Sequence, residues 1–375
     1  MDLSVPAYFS SMHADGLAEI AELAAGSGQR VADAYGSLAS GPVGHARAPD
    51  RIPRATLQEL GIYVDQLHSH GIRFHYTINA PWINGAERSD PGRSRIGSHL
   101  QSLADAGVDA LVVANPYLLR LVRDWFPGIG IVASINFRAA CSEAVGRLLA
   151  LGADRVVLDR SVNRDMPLLR AVCAQCGPKV ELLANSTCLA DCPFQTYHAI
   201  ETGCRSTEGQ GALCVKDPDA CHEYCLDAIL DAPASVLRAT WIRPEDLPRY
   251  EALGVRAVKI QGRTLGPCEQ LALVRAYVLG QTPGGDLFNL FPGLRDSLAR
   301  RAERHPGQDG RWVGGVCLSV GALERDGFFS YLETHGHACR LGCATCGRCE
   351  QTMERLLAEG GPGTFTTGSE RPVPA

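Results

Sequence analysis

Along the first 265 residues, short β-branched runs alternate with longer stretches whose apolar positions recur every three or four residues. The short runs predict strands at 4–9, 31–36, 73–79, 110–115, 131–136, 155–160, 179–185 and 255–262. Between them, RATLQELGIYVDQLHSHG, IGSHLQSLADAGVD, SEAVGRLLALGAD and MPLLRAVCAQCG read as amphipathic helices. Several end on a glycine just before the next strand, the residue that best accepts the backbone of a helix stop. Eight strands alternating with helices predict a parallel sheet, and eight is the number that closes a barrel. The expected fold is α/β, a TIM-like (β/α)8 barrel with a small Cys-rich C-terminal appendage; a doubly wound open sheet is the alternative. GSGQRV precedes a strand and lacks a third glycine, so it reads as a helix stop, not a dinucleotide turn.

The pattern changes twice. After the seventh run, residues 186–240 form a cysteine-rich insertion within a barrel expected over 1–282. Beyond it, 283–358 read as a helical, Cys-rich appendage: LALVRAYVLGQ is a helix, TPGGDLFNLFPG a loop and ALERDGFFSYLETHG a helix. Residues 359–375 are rich in Gly, Pro, Ser and Thr and are expected to be disordered. In TWIRPEDLPRYEALG, Pro244 with Glu245 and Asp246 marks a helix start.

A barrel of this kind builds its active site at the C-terminal ends of its strands. Those ends carry Asn79, Asn115, Asn136, Asp159, Arg160, Asn185, Gln261 and Arg263, with Lys259 inside the last strand. Asparagine is a common turn residue, and Asn115–Pro116 is a turn signal. Four asparagines and two guanidiniums on one rim nevertheless fit a polar small-molecule pocket. Arg160, Arg164, Arg243 and Arg263 could receive carboxylates in bidentate fashion; ion pairs with Asp159, Asp165, Glu245 or Asp246 are the plainer role. The candidate substrate-binding set is Asn79, Asn115, Asn136, Arg160, Asn185, Arg243, Lys259 and Arg263.

The chain holds 15 cysteines and a net charge of −5. The charge gives no global basic footprint for nucleic acid, and the basic run 294–312 reads as a solvated helix face. The start MDLSVPAYFSSMHADG has no secretory pattern, and no apolar stretch is long enough to span a membrane, so a cytoplasmic protein with reduced thiols is expected. Two cysteine groups then read as metal ligands. Cys188 and Cys192 are four apart, a spacing that on a helical turn puts both sulfurs on one side, and Cys221 and Cys225 repeat it. Cys339, Cys343, Cys346 and Cys349 close the chain as C-x₃-C-x₂-C-x₂-C, with His335 and His337 upstream. Four cysteines in so short a run are tight for a zinc ribbon and typical of iron–sulfur proteins, although zinc also accepts four thiolates. Cys141 and Cys317 read as ordinary buried thiols, and the CAQC pair at Cys173 and Cys176 as inert packing at a helix C-terminus.

NSTCLADCPFQTYH, WIRPEDLPRYEALGVRAVKIQGRT and GFFSYLETHGHACRLGCATCGRCE, in this order, together resemble the peptidase U32 family (collagenase-like), in a branch with a C-terminal four-cysteine motif. SVNRD at 161–165 is similar to the family's stretch after strand six, and the resemblance runs from SVPAYF to Glu350. It implies a 4Fe–4S cluster on four cysteines and oxygen-independent hydroxylation of transfer-RNA uridine, ribosomal-RNA cytidine or the ubiquinone ring, with prephenate as an oxygen source. Cys188, Cys192 and Cys225 match cluster ligands, and the fourth lies among Cys221, Cys214 and Cys204. The longer cysteine spacing and extra domain of the RNA-modifying members have no counterpart, which argues against an RNA substrate. The resemblance thus implies a small polar or aromatic substrate, a prephenate-like oxygen donor, and one or two 4Fe–4S clusters, with zinc the alternative at the C-terminal motif. Two other readings stand beside it. One is a metal-dependent peptidase, although neither H-E-x-x-H nor G-x-S-x-G occurs. The other is a non-catalytic cluster-bearing subunit working with a paralogous U32 partner.

Overall fold

The computed structural model describes residues 1–209, 220–304, 313 and 317–359. Its eight strands are β1 (Asp2–Pro6), β2 (Arg30–Gly36), β3 (Arg73–Ile78), β4 (Ala110–Val113), β5 (Gly130–Ala133), β6 (Arg155–Val157), β7 (Val180–Leu183) and β8 (Ala257–Lys259). Each pairs in parallel with the next in sequence, and β1 pairs with β8 through Asp2–Ala257, Leu3–Val258 and Ser4–Lys259. This is the closed (β/α)8 barrel that the alternation predicts, not an open sheet.

Every expected strand is present, and all but β2 stop short of the predicted C-terminal end. The cause is side-chain competition for the backbone. Asn115 accepts the amide of Leu118, Ser134 that of Asn136 and Asp159 that of Ser161, so each begins a helical turn instead of extending the ladder.

Six helices cover the first six crossovers: α1 (Ser11–Ala24), α2 (Leu57–Ser69), α3 (Asp90–Asp105), α4 (Pro116–Trp125), α5 (Ser142–Ala150) and α6 (Met166–Cys176). The 3₁₀ turn Arg160–Arg164 lies between β6 and α6. After β7 the chain makes a long excursion through α7 (Gln195–Ser206), α8 (Ala220–Asp231), α9 (Ser235–Arg238) and α10 (Leu247–Ala252) before returning as β8. Pro244 opens the turn leading into α10, as expected. The chain continues through α11 (Pro267–Leu279), α12 (Leu294–Arg304), α13 (Val320–Arg325), α14 (Phe328–His335), the 3₁₀ turn Gly336–Leu341, α15 (Cys343–Cys346) and α16 (Arg348–Glu359). The single helix expected over ALERDGFFSYLETHG is two, because Gly327 takes a left-handed φ of 70° between them. The expected disordered tail lies outside the described residues, apart from Glu359 at the end of α16.

The barrel interior is divided. Around β4, β5 and β6 it is apolar, filled by Ala110, Val112, Val132 and Val157. Toward β1, β2, β3, β7 and β8, and at Arg155 on β6, it is ionic. Asp33 is fully buried, accepts from Ser4 Oγ, and lies 3.2 Å from His75 Nδ1 and 3.3 Å from Arg155 Nη1. The same Arg155 nitrogen is 3.4 Å from Glu181 Oε2. Burial opposes the charge on Asp33, but His75, Arg155, Lys259 and Ser4 outweigh it and hold its carboxyl below the usual value. Glu181 shares the same cations, yet burial prevails and its carboxyl is raised. A buried charge without partners would be strongly destabilising, so this layer is a mutually dependent set.

The C-terminal helices share the barrel's core. Phe328, Phe329, Met353 and Leu356 belong to one apolar cluster with Trp241, Ile242 and Leu247. Arg243 stacks its guanidinium 3.3 Å from the centre of the Phe329 ring and reaches Glu324 at 3.3 Å. Among the described residues no helix is long and apolar enough to cross a membrane.

Candidate active site and cysteine centre

The rim at the strands' C-terminal ends collects the expected residues, but not in one role. Asn79 and Asn136 belong to a rim network. Asn79 Oδ1 accepts the Ala46 amide at 3.1 Å, its Nδ2 donates to Ser134 Oγ at 3.2 Å, and Asn136 Nδ2 donates to the Asn79 carbonyl at 3.1 Å. Asn115 is buried and caps α4, its Nδ2 reaching Glu87 at 3.4 Å. Asn185 is saturated: it donates to the carbonyls of Gln261 and Leu290 and accepts the Gln261 amide at 2.6 Å. Arg243 grips Asp246 with two nitrogens at 2.9 and 2.8 Å. These last three groups are engaged within the protein, so the geometry assigns them to bracing. Arg164 likewise donates to the carbonyls of Ala239 and Arg238.

The cations that remain at the mouth are differently placed. Arg263 is buried and donates from Nη1 to Ser37 Oγ at 3.1 Å and Thr77 Oγ1 at 2.7 Å. Among the described residues no carboxylate pairs with it, and burial together with nearby Arg47 draws its pKa down to about 9. Below it, Lys259 Nζ lies 3.1 Å from the Tyr35 ring centre and 3.2 Å from Ser4 Oγ. Burial lowers Lys259 to about 8 against the pull of Glu181 and Asp33. Arg160 follows β6; its guanidinium donates a hydrogen bond to the Cys188 sulfur, and among the described residues its buried Nε and Nη1 lack partners. Burial, then Arg47, His222, Arg160 and Arg51, depress His198 on α7 to about 4, so its neighbourhood is strongly positive. Arg47, from the loop after β2, escaped sequence reasoning; nothing in GHARAPD distinguishes it from a solvated charge.

The first cysteine group opens onto this positive rim. Cys188 and Cys192 do not share a helical turn; both lie in the loop between β7 and α7, which Asp191 bends with a φ of 51°. Cys188 is exposed, although protein crowds its sulfur. That crowding opposes ionisation, but Arg160, a hydrogen bond from Ser186 and Arg47 outweigh it, so the thiol lies below its ordinary value. A sulfur in an electropositive, open setting is the reactive and metal-ligating kind. Cys225 on α8 is pushed up to about 12 by burial, then by the charges of Cys188 and Cys192. Cys221, one turn earlier, is raised by burial, Glu201 and Cys192. The fold therefore brings Cys188, Cys192 and Cys225 within reach of each other's charge, with Cys221 beside Cys192. Cys204 lies on α7, and Cys214 lies outside the described residues.

Burial also raises the thiols of Cys173 and Cys176 at the end of α6, in keeping with packing rather than reactivity.

Residues 40–191 match the model of peptidase family U32. A protein from Methanocaldococcus jannaschii described as an uncharacterized protease is 25% identical over 315 residues, covering 81% of this chain and 84% of that protein. Over residues 40–191 the chain is similar to the U32 family. A tRNA hydroxylation protein P from Haemophilus influenzae is 31% identical over 109 residues, 28% of this chain and 22% of that protein. Among solved structures, a U32 peptidase aligns with a TM-score of 0.49 at 17% identity, covering 70% of this chain and 92% of the other.

Both orphaned nitrogens of Arg160 suit an iron–sulfur group at the rim. A cluster held by thiolates keeps net negative charge and sulfur acceptors, and buried N–H donors beside it would be satisfied. Among the described residues, no three His, Cys, Asp or Glu side chains stand where they could hold one metal ion. A tetrahedral zinc would draw sulfurs to roughly 3.8 Å apart, from its 2.3 Å bonds; a cubane spaces its ligands more widely.

Proposed function

We propose that this chain is an iron–sulfur enzyme of the U32 family that performs oxygen-independent hydroxylation, or a related redox modification, of a small anionic substrate. The observation that supports it most is the meeting of the Cys188, Cys192 and Cys225 thiols with Arg160 and Arg47 at the barrel's open end. Those three residues, with Cys221 as fourth, would hold the cluster, which supplies a Lewis-acidic or one-electron redox centre when bound. Arg160 would donate to sulfur and hold the thiolates ionised. Arg263, buried and without a carboxylate partner, would receive a carboxylate of the substrate or of a prephenate-like oxygen donor, with Ser37 and Thr77 fixing its orientation. Asn79 and Asn136 would shape the wall beside it. The likeness to a tRNA hydroxylation protein supports the reaction class, although it covers a small part of that protein.

The test is chemical analysis of protein purified without oxygen. About four iron and four sulfide at the rim site per chain, lost in Cys188→Ser together with substrate turnover, is the expected result. Turnover that survives in a cluster-free Cys188→Ser protein would sink the proposal. Zinc without sulfide, with chelator-sensitive cleavage of a peptide library, would put the peptidase reading in its place.

A further inference from the structure

The terminal cysteines form a separate centre of their own. Cys339 lies in the turn Gly336–Leu341, Cys343 and Cys346 bound the short α15, and Cys349 lies in the first turn of α16. Gly342 and Gly347, with φ of 97° and 60°, turn the chain on either side of α15 in conformations other residues avoid. Two sharp turns within six residues keep the four cysteines in one compact segment.

Two independent observations point to a ligand among these sulfurs. Arg164 is 3% exposed, and its Nε is buried without a partner on a side chain that faces Cys339 and Cys349. Tyr331 places its hydroxyl 3.2 Å from Cys346 Sγ, stacks on His335 at 4.5 Å, and carries the Arg348 guanidinium 5.5 Å over its ring. Donors directed at sulfur are what thiolate-held clusters use to tune their charge.

We propose that Cys339, Cys343, Cys346 and Cys349 hold a second iron–sulfur cluster, distinct from the rim centre, with Arg164 and Tyr331 donating to its sulfurs. Arg160 and Arg164 begin and end a single 3₁₀ turn. At ~2 Å per residue that turn spans about 8 Å, so the two centres flank one short piece of backbone. The terminal segment is seated there by close contact: a Cβ on Gly336 would collide with the Arg164 carbonyl oxygen. Arg238 pairs with Glu350 and fixes the start of α16 against the barrel side.

The experiment counts iron, acid-labile sulfide and zinc in anaerobically purified full-length chain, in Cys343→Ser/Cys346→Ser and in Cys188→Ser/Cys192→Ser. The expected counts are about eight iron in the wild type and about four in each double variant. A wild type with about four iron, all retained in Cys343→Ser/Cys346→Ser, overturns the second centre. So does loss of one zinc and no iron in that variant, which would make the site structural zinc. Should that variant fail to fold, the Cys188→Ser/Cys192→Ser protein decides: about four iron retained supports the terminal centre, and none retained overturns it. Iron unchanged in Cys188→Ser/Cys192→Ser would refute the rim reading while leaving this one standing.

Discussion

The two cysteine groups are built in opposite ways. The rim group is assembled from distant pieces, Cys188 and Cys192 after β7 and Cys221 and Cys225 on α8, and its exposed Cys188 is drawn below its ordinary pKa by Arg160 and Arg47. The terminal group is made from eleven consecutive residues, its Cys349 is buried, and the thiols of Cys339 and Cys349 are raised. One group is open and electrostatically primed at the barrel mouth; the other is half-buried to buried beside Tyr331 and Arg164. The difference teaches that local spacing alone can gather cysteines into one segment, whereas reactivity requires a fold to bring cations to the sulfur.

The largest effect expected from this contrast is in thiol chemistry. In metal-free protein at pH 7.5, iodoacetamide should modify Cys188 at least about a hundredfold faster than Cys349, because the thiolate is the nucleophile. Mass spectrometry of timed samples checks this, and equal rates would erase the distinction. Next comes a crossover: Arg160→Gln should weaken iron retention at the rim by about 10–100-fold and spare the terminal group, with Arg164→Gln doing the reverse. Iron release followed under chelator would show whether the two arginines serve separate centres. A smaller change is expected from Gly336→Ala, where the collision with the Arg164 carbonyl should cost about 1–3 kcal/mol in denaturant unfolding. Wild-type stability there would mean the terminal segment is not seated on that turn.

Acid sensitivity concerns the barrel that carries both groups and bears least directly on the contrast between them. Burial holds His13 and His75 at about 4 and His45 at about 3, against 6.5 for the free side chain. Between those values the unfolded chain binds protons that the folded chain refuses. Stability should therefore fall as pH drops from about 6.5 toward 4, by about 1.4 kcal/mol per pH unit for each such histidine. Chemical denaturation at pH 7 and pH 5 measures it; His75→Gln should flatten the slope.

Much of the architecture was legible because strand and helix periods are local. All eight strands lie where β-branched runs predict them, and their closure follows from the count. The ionic layer was also visible in principle, since Asp33, His75 and Glu181 occupy strand interiors in the sequence, where parallel strands are otherwise apolar. The rim residues were found by position but not by role. Asn115, Asn185 and Arg243 resemble Asn79 and Arg160 in a list of strand ends, and only their hydrogen-bond partners separate braces from groups left open to the mouth.

By itself, then, the chain's order of residues determined the barrel, the two cysteine groups and the compact terminal motif, because each is written in spacings of fewer than about twenty residues. The tertiary structure alone decided which thiol is primed, which arginine lies beside which group, and that Arg263 is buried with no carboxylate partner among the described residues. Those properties depend on groups brought together from opposite ends of the chain, and charge and burial at a site are sums over neighbours in space, not in sequence.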